Sequence, residues 1–188
     1  MTSTKSNKNP KQNNWLGFLI WIIIALLIRW QAVEPRWIPS GSMIPTLQIQ
    51  DRILIEKISP RINRRLNKQI QRDVIVIFKP PEALTKTGYN EKSALIKRVI
   101  GLPGDKLEIH NGKLLRNDKE IYEPWIKEPI QYEMKVIEVP DQSIWVMGDN
   151  RNNSLDSHLW GPLPQENIIG TAIFRYWPLK EIGPIRFP

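Results

Sequence analysis

Residues 94–105 read "ALIKRVIGLPGD", and this stretch predicts a β-strand that ends in a turn. Aliphatic and β-branched residues are typical of strands, and Gly-Leu-Pro-Gly is typical of a turn. Because side chains alternate along a strand, Lys97 is predicted to share a face with Leu95 and Val99, and Arg98 to lie on the other face. A lysine among apolar neighbours is desolvated, which lowers the pKa of its ammonium group. The alternative is a lysine that reaches water from a sheet edge.

Short apolar runs recur from residue 34 onward and extend the β pattern over the rest of the chain. Pro, Gly, Asn and Asp separate them. Asn-Gly in "HNGK", 110–113, predicts a hairpin with a two-residue turn. The stretch 60–72 is the only plausible helix in this region, with a loop as the alternative. The sequence therefore predicts a mostly β fold of antiparallel sheets. The clearest runs are "RILIE", "DVIVIFK", "KLEIH", "YEMKVIEV", "SIWVMG" and "TAIFRYW".

The N-terminal part has a different character and predicts a membrane anchor. Residues 1–14 are polar and predict a disordered tail. Residues 15–33, "WLGFLIWIIIALLIRWQAV", would span about 28 Å as a helix, close to the thickness of the hydrocarbon layer. A cleavable signal peptide is the alternative, but cleavage after Ala32 would place Trp30 where a small side chain is required. Three lysines precede the span, which predicts a cytoplasmic tail and a translocated remainder.

The composition excludes several classes of site. The chain has no cysteine and two histidines, His110 and His158, so disulfides and thiolate chemistry are excluded and a histidine-rich metal site is disfavoured. The net charge of +8, with a basic run over 57–72, is compatible with nucleic acid or with an anionic membrane surface. No nucleic-acid-binding signature accompanies the basic run, and its simplest interpretation is a solvated surface.

A second stretch, "IPSGSMIPTL" at 38–47, offers a nucleophile. Residues two apart in an extended segment point the same way, so the hydroxyls of Ser40 and Ser42 would face one side. One could attack a carbonyl while the other donates to the developing oxyanion. A neutral Lys97 could accept the serine proton, and lowering its pKa from about 10.4 to near 8 requires roughly 3 kcal/mol, which burial can supply. The alternative is a plain turn with solvated serines.

A third stretch, "VMGDNRNNSLDSHLWGPLP" at 146–164, predicts a structured polar loop. Its Asp149 could pair with Arg98 and hold the lysine strand in register, and Ser154 could hydrogen-bond the amine of Lys97. Taken alone it is simply a polar loop. The spacing of a helix–loop–helix calcium site is absent.

Together the three stretches resemble the type I signal peptidases, which are membrane-bound Ser/Lys proteases. "SGSMIPTL", "IKRVIGLPGD" and "GDNRNNSLDS" are similar to three of the family's motifs and occur in the family's order, and the resemblance covers residues 15–178. It implies a serine endopeptidase that removes signal peptides from translocated preproteins after small residues, at sites of the Ala-x-Ala type. It also implies a catalytic domain over 34–188, with a smaller β insertion near 106–141, and no metal or organic cofactor.

Carried over position by position, the resemblance makes Ser42 the nucleophile and Lys97 the general base. Ser40 and the backbone N–H of Ser42 would form the oxyanion hole, and Ser154 would orient Lys97. Extended substrate would add to a sheet edge as a further strand. The positions that match the pockets for small side chains are Ile38, Pro39, Leu47, Ile53 and Ile96.

Two positions depart from the family pattern. Asn152 stands where the motif often has aspartate, and His158 stands where many members carry an arginine, two residues after Asp156. The second departure puts a fixed ion pair there in doubt. The resemblance still implies that Asp149 pairs with Arg98.

The resemblance also implies a location and partners. The expected place is the plasma membrane or another energy-transducing membrane, crossed once, with the catalytic domain on the trans side. The partners would be signal peptides and membrane lipid, and not nucleic acid. Two alternatives stay open. The first is a self-cleaving Ser/Lys protease of the SOS-repressor type, which would require a DNA-binding N-terminal domain. The second is a tethered, non-catalytic module whose basic face binds anionic lipid or nucleic acid.

Overall fold

The computed structural model describes residues 15–66 and 68–185, and the chain divides into two units, Met1–Ala32 and Val33–Pro188. In the first unit, helix α1 covers Trp15–Ala32, and its side chains from residue 15 to residue 26 are exposed. The segment predicted as an anchor is therefore helical over all but its last residue. Among the described residues, no helix has both the length and the apolar character needed to cross a bilayer. The predicted tail, 1–14, lies outside the described residues.

The second unit is built from antiparallel strands with three short helices in its described part. The helices are α2 (Ile58–Arg65), α3 (Glu82–Thr85) and α4 (Ser157–Trp160). The strands are β1 (Val33–Trp37), β2 (Arg52–Glu56), β3 (Ile75–Phe78), β4 (Leu95–Gly101), β5 (Lys106–His110), β6 (Lys113–Arg116), β7 (Lys119–Glu120), β8 (Met134–Glu138), β9 (Ser143–Met147), β10 (Leu163–Pro164), β11 (Ile168–Trp177) and β12 (Gly183–Pro184).

The larger sheet runs in the order β1-β2-β11-β3-β4-β9-β10, and β12 pairs with β11. Every pairing in it is antiparallel, as the sequence predicts. Strand β4 lies inside the sheet between β3 and β9, and all its residues after Leu95 are buried. Ile96 packs in one apolar cluster while Leu95 and Val99 pack in another, which matches the predicted alternation. The strand that carries Lys97 is therefore covered on both faces.

The smaller sheet, in the order β7-β6-β5-β8, lies in sequence between β4 and β9. Its strands fall within the predicted insertion of 106–141. The predicted "HNGK" hairpin joins β5 to β6, with His110 paired to Lys113 across the turn. Asn111 and Gly112 have φ angles of 51° and 74°, the left-handed values that a two-residue hairpin turn requires.

The helices differ most from the sequence-based expectation. Helix α2 covers Ile58–Arg65, so it begins earlier and ends earlier than the predicted 60–72. A carboxylate oxygen of Glu56 accepts hydrogen bonds from the N–H groups of Ile58 and Ser59, and this cap fixes the early start. Helices α3 and α4 were not predicted, because four residues are too few to show helical periodicity.

Candidate active site

Ser42 lies on a single 3-10 turn, Gly41–Met43, in the loop between β1 and β2. The base of this loop is closed by backbone bonds, with the Ile38 N–H donating to the Asp51 carbonyl over 2.9 Å. Met43 is fully buried in the apolar cluster beside β4. The loop therefore holds Ser42 against the sheet.

Lys97 and Ser42 meet, although they are 55 residues apart in the sequence. The Lys97 Nζ lies 2.9 Å from the Ser42 Oγ and donates to the Ile96 carbonyl over 2.8 Å. The Lys97 residue is 2% exposed, and this desolvation lowers its pKa to about 8, against the opposing pull of Asp156 and Asp149. A large fraction of Lys97 is therefore neutral at mildly alkaline pH. A neutral amine at this distance can accept the serine proton.

Ser40 lies beside the nucleophile candidate on the same side of the loop. Its Oγ is 3.4 Å from the Ser42 Oγ, and its backbone is extended, with φ −133° and ψ 158°. Ser40 is exposed, whereas Ser42 is buried. The Ser40 hydroxyl therefore lies where it could donate a hydrogen bond to a substrate carbonyl.

The side chain of Arg98 is bound on the opposite face of β4. Its Nε and one terminal nitrogen donate to the two carboxylate oxygens of Asp149, over 2.8 Å and 2.6 Å. The other terminal nitrogen donates to the Asp73 carbonyl over 2.7 Å, and the guanidinium lies over the ring of Trp125. Both charged side chains are at most 1% exposed. A buried bidentate pair of this kind fixes geometry more than it adds stability, so its role here is to hold the 146–164 loop against β4.

The hydrogen bond expected from Ser154 to Lys97 is not formed. The Ser154 Oγ is buried and has no hydrogen-bond partner within the described residues. The amine of Lys97 contacts the Ser42 Oγ and the Ile96 carbonyl instead. Ser154 instead packs against Gly148, where its Oγ would lie 2.2 Å from a Cβ added to that glycine.

The 146–164 loop also contacts the serine loop directly, which the sequence alone does not reveal. The Asn150 N–H donates to the Ser42 carbonyl over 3.0 Å, and its side-chain amide donates to the Gly41 carbonyl over 3.2 Å. The motif "GDNRNNSLDS" signals a polar loop, but it does not say which backbone the asparagine binds. These two bonds hold the carbonyl groups of Gly41 and Ser42 in place.

Asp156 and His158 are a second pair that sequence reasoning left without a role. Fully buried Asp156 accepts the Gly148 N–H over 2.8 Å and caps α4. The Nδ1 of His158 lies 2.7 Å from a carboxylate oxygen of Asp156, and the His158 ring stacks on Tyr132 at 4.2 Å. His158 therefore contacts Asp156 through a ring nitrogen.

The other departure, Asn152, has a local explanation. Its side-chain oxygen accepts from the Gln131 N–H over 2.8 Å, and its side-chain nitrogen donates to the Pro129 carbonyl over 3.0 Å. A carboxylate could not make the second bond, because an ionised aspartate has no donor. Next to it, Arg151 forms a buried ion pair with Glu123. Both contacts join the 146–164 loop to the 106–141 segment.

Four of the five predicted pocket residues pack together beside Ser42. Ile38, Leu47, Ile53 and Ile96 are all members of one buried apolar cluster, and Pro39 is exposed at its margin. Met43, the residue after Ser42, belongs to the same cluster. An apolar wall thus lies next to the nucleophile candidate.

The pH dependence of the reaction is expected to follow Lys97. Because burial lowers its pKa to about 8, activity should rise as the pH passes through about 8 and the amine loses its proton. The charge of Asp156 raises this pKa, so Asp156→Asn should move the rising limb to lower pH. The amide oxygen can still accept the Gly148 N–H. Rates measured between pH 6 and 10 test this, with Glu133→Gln, an exposed and distant change, as the control. A limb centred near 6.5 that disappears in His158→Ala would contradict the lysine assignment.

Comparison with known proteins yields one consistent family. A family model described as "Signal peptidase, peptidase S26" matches residues 12–177. A probable signal peptidase I-1 of Synechocystis is 46% identical over 167 residues, which cover 89% of this chain and 83% of the relative. The signal peptidase I of Bacillus amyloliquefaciens is 32% identical over 195 residues, covering 96% of this chain and 94% of that protein. A probable thylakoidal processing peptidase 2, chloroplastic, of Arabidopsis thaliana is 44% identical over 164 residues, covering 87% of this chain and 43% of that protein.

The family model covers nearly all of the chain, and two of these relatives match over most of their own length. The described residues place a serine and a buried lysine in contact within the matched region. The chain therefore belongs to the signal peptidase family, peptidase S26, and is a serine peptidase that acts on signal peptides.

Proposed function

We propose that the chain is a membrane-attached endopeptidase that removes signal peptides with Ser42 as nucleophile and Lys97 as general base. The observation that carries the proposal is the 2.9 Å contact between the Lys97 Nζ and the Ser42 Oγ. Among the described residues no carboxylate pairs with Lys97, and a buried lysine without such a partner is costly to keep in a fold. A general base accounts for this cost, because catalysis requires an amine that can lose its proton.

The proposed reaction proceeds through an acyl-enzyme. The Ser42 Oγ attacks the scissile carbonyl carbon while its proton passes to the Lys97 Nζ. The Ser40 hydroxyl and the Ser42 N–H donate to the oxyanion of the tetrahedral intermediate. The Lys97 ammonium then gives its proton to the leaving amine, and the signal peptide remains as an ester on Ser42. Lys97 next deprotonates a water molecule, which hydrolyses the ester and restores the serine.

Substrate selection is assigned to the apolar wall beside Ser42. Aliphatic side chains from Ile38, Leu47, Ile53 and Ile96 leave no charged or hydrogen-bonding group to recognise a polar residue. Shallow pockets between them would accept alanine and reject larger side chains. Extended substrate bound by strand addition would point alternate residues at this wall, which would give a preference at two positions separated by one residue.

The test uses purified full-length chain and a preprotein with an Ala-x-Ala site. One cut directly after the second alanine is expected, and replacing that alanine with leucine or tryptophan should abolish it. The Ser42→Ala chain serves as the control for contaminating proteases. Cutting that ignores the size of these residues, or that persists in Ser42→Ala, would refute the proposal.

Membrane attachment is part of the proposal and has two supports in the chain. The first is the apolar sequence of residues 15–33. The second is an apolar rim at the base of the loop that carries Ser42, formed by the exposed residues Trp37, Ile49, Trp177 and Leu179. Trp37 and Trp177 both pair opposite Arg52 at adjacent strand ends, so they lie close together. Aromatic side chains favour the membrane–water interface. The rim would rest on the lipid from which a signal peptide emerges.

The proposed orientation places the tail in the cytoplasm and residues from 34 onward on the trans side. Proteinase added outside right-side-out vesicles should therefore digest the larger unit and spare an epitope tag fused to the N-terminus. The same vesicles opened with detergent are the control, and in them the tag should also be lost. Protection of the larger unit in sealed vesicles would contradict this orientation.

A further inference from the structure

Helix α2 lies within the basic run, 57–72, which the proposed catalysis does not use. Two of its apolar side chains, Ile58 and Ile62, and that of its C-cap residue, Leu66, recur at every fourth residue and are 43%, 46% and 59% exposed. Spacing of this kind places side chains on one face of a helix. Pro60 lies on the other side of the helix and is buried. The apolar stripe therefore points away from the domain.

Basic side chains flank this stripe. Arg61, Arg65 and Lys68 are exposed, and within residues 15–66 and 68–185 none of them pairs with a carboxylate. The nearby Lys57 and Arg72, in contrast, are bound to Glu34 and Asp105. An exposed apolar stripe with unpaired cations along its side is the pattern of a helix that lies in the surface of an anionic membrane.

The position of α2 in the fold agrees with this interpretation. Glu56, the residue that caps α2, is paired with Val33, the first residue of β1. Lys57 is bonded to Glu34 over 3.0 Å, which ties the start of α2 to the start of β1. Val33 directly follows the apolar segment that is proposed to attach the chain to the membrane. The helix thus begins where the chain would leave the lipid.

The edge strand β1 connects this helix to the apolar rim. β1 begins beside α2 at Val33 and ends at Trp37, which belongs to the rim. Five residues of strand span roughly 16 Å, so one membrane surface along this edge can reach both features. Three apolar side chains are too small a patch for a separate protein partner, since stable interfaces bury about 800 Å² on each side. A tethered domain needs a much smaller contact area to dock on the membrane, because the tether already provides a high effective concentration.

We infer that α2, together with Leu66 and Lys68 just after it, docks on anionic lipid as an interfacial helix. Ile58, Ile62 and Leu66 would lie in the acyl–headgroup boundary, and Arg61, Arg65 and Lys68 would bind lipid phosphates. The inference rests on the proposed membrane attachment, and it adds a surface that cleavage itself does not require. Docking at α2 and at the rim would fix the rotation of the domain about its tether. The serine loop would then always face the membrane surface from which the substrate emerges.

The absence of cysteine from the chain makes a direct test simple. A fluorophore such as NBD is attached to Ser59→Cys, an exposed position at the border of the stripe, in full-length chain reconstituted into vesicles. In vesicles that contain phosphatidylglycerol, its emission should shift to the blue and be quenched by nitroxide-labelled lipid. The same label on Val136→Cys, exposed on the smaller sheet, should report water in every vesicle.

Charge reversal then tests whether α2 binds anionic lipid or is only held near the membrane by the tether. Arg61→Glu/Arg65→Glu should lower the ratio of docked to undocked helix roughly ten-fold or more, and vesicles of phosphatidylcholine alone should have a similar effect on the parent. Lys119→Glu/Lys135→Glu changes the net charge equally at exposed positions on the smaller sheet and should leave docking intact. Ile62→Gln/Leu66→Gln should also release the helix.

Several results would overturn the inference. The first is an emission spectrum of the label at position 59 that indicates a water environment in anionic vesicles. The second is quenching of this label that is equal in neutral and anionic vesicles. The third is a spectral shift at position 59 that requires duplex DNA or RNA instead of lipid. Flotation of the vesicles reports attachment separately, and cleavage of a soluble peptide reports the proposed catalysis separately. If the protein floats with the vesicles and cleaves the peptide but gives no docking signal, the proposed role of α2 is refuted while membrane attachment and catalysis are not.

Discussion

Ser42→Ala and Lys97→Ala are each expected to lower preprotein cleavage by roughly four orders of magnitude or more, because nucleophile and base act as one unit. Neither residue can replace the other. Without Ser42 there is no acyl-enzyme, and without Lys97 the described part of the chain has no amine in contact with the Ser42 hydroxyl to accept its proton. The double variant should be no worse than either single variant. Rates with a preprotein and with a short soluble peptide measure the effect.

Lys97→Arg should be inactive as well, since a guanidinium does not lose its proton in a protein. This variant keeps the positive charge and so distinguishes a base from an electrostatic role. Substantial activity in Lys97→Ala or Lys97→Arg would remove the base assignment. His158 would then be the next candidate, through its contact with Asp156.

Loss of activity in Lys97 variants must be distinguished from loss of the fold. The lowered pKa of Lys97 makes this possible, because it predicts how replacement of Lys97 changes the stability of the fold. The folded-state pKa of Lys97 is lowered from 10.5 to about 8, so below pH 8 the folded state must hold a desolvated ammonium group. This shift corresponds to roughly 3 kcal/mol against folding at neutral pH. The penalty is fully present below about pH 8 and fades as the pH rises towards 10.5. Lys97→Met should therefore be inactive yet unfold at a higher temperature than the parent at pH 7, with a smaller difference at pH 10.

How far the sequence predicts this molecule depends on whether a feature is local. Alternation along 94–105 correctly separates Lys97 from Arg98, and Asn-Gly at 111–112 correctly predicts a hairpin turn. Both follow from rules that act within a few residues. The three motifs also predict the contacts of Ser42 with Lys97 and of Asp149 with Arg98, because a resemblance carries tertiary information that composition lacks.

What the sequence could not predict depends on contacts between distant segments. Nothing local shows that the Asn150 N–H binds the carbonyl of Ser42, or that the Ser154 hydroxyl is left without a partner in the described residues. The buried pair of Arg151 and Glu123 likewise joins segments 28 residues apart. The start of α2 depends on a local contact, the cap by Glu56, but hydrophobic periodicity does not reveal such a cap.

Gly148 is the residue whose importance is hardest to predict from sequence, and Gly148→Ala is expected to be the most damaging single-methyl change in the site. A Cβ at this position would lie 2.5 Å from the Ser42 carbonyl oxygen and 2.2 Å from the Ser154 Oγ. The serine side chain can turn aside, but the carbonyl is backbone and belongs to the nucleophile itself. Relief of the contact is therefore expected to shift the backbone of Ser42 relative to Gly148, and so to disturb the contact between Ser42 and Lys97.

The expected result is a fall in kcat/KM of about 100-fold or more on a soluble peptide, because displacements near 1 Å are enough to misalign a nucleophile. Overpacking should also lower the free energy of unfolding by about 1–3 kcal/mol, measured in urea. Gly183→Ala is the matched control, since a Cβ there meets no atom within 4 Å, and both quantities should stay at parental values.

A second variant distinguishes the two contacts. Gly148→Ala/Ser154→Gly removes the side chain nearest the new methyl group but leaves the Ser42 carbonyl in place. Stability should then recover in part while activity stays low, because only the carbonyl contact moves the nucleophile. Full recovery of activity in the double variant would mean that Ser154, and not the backbone of Ser42, transmits the effect. Parental activity in Gly148→Ala itself would show that the serine loop tolerates a shift, contrary to a dyad that depends on the 2.9 Å contact.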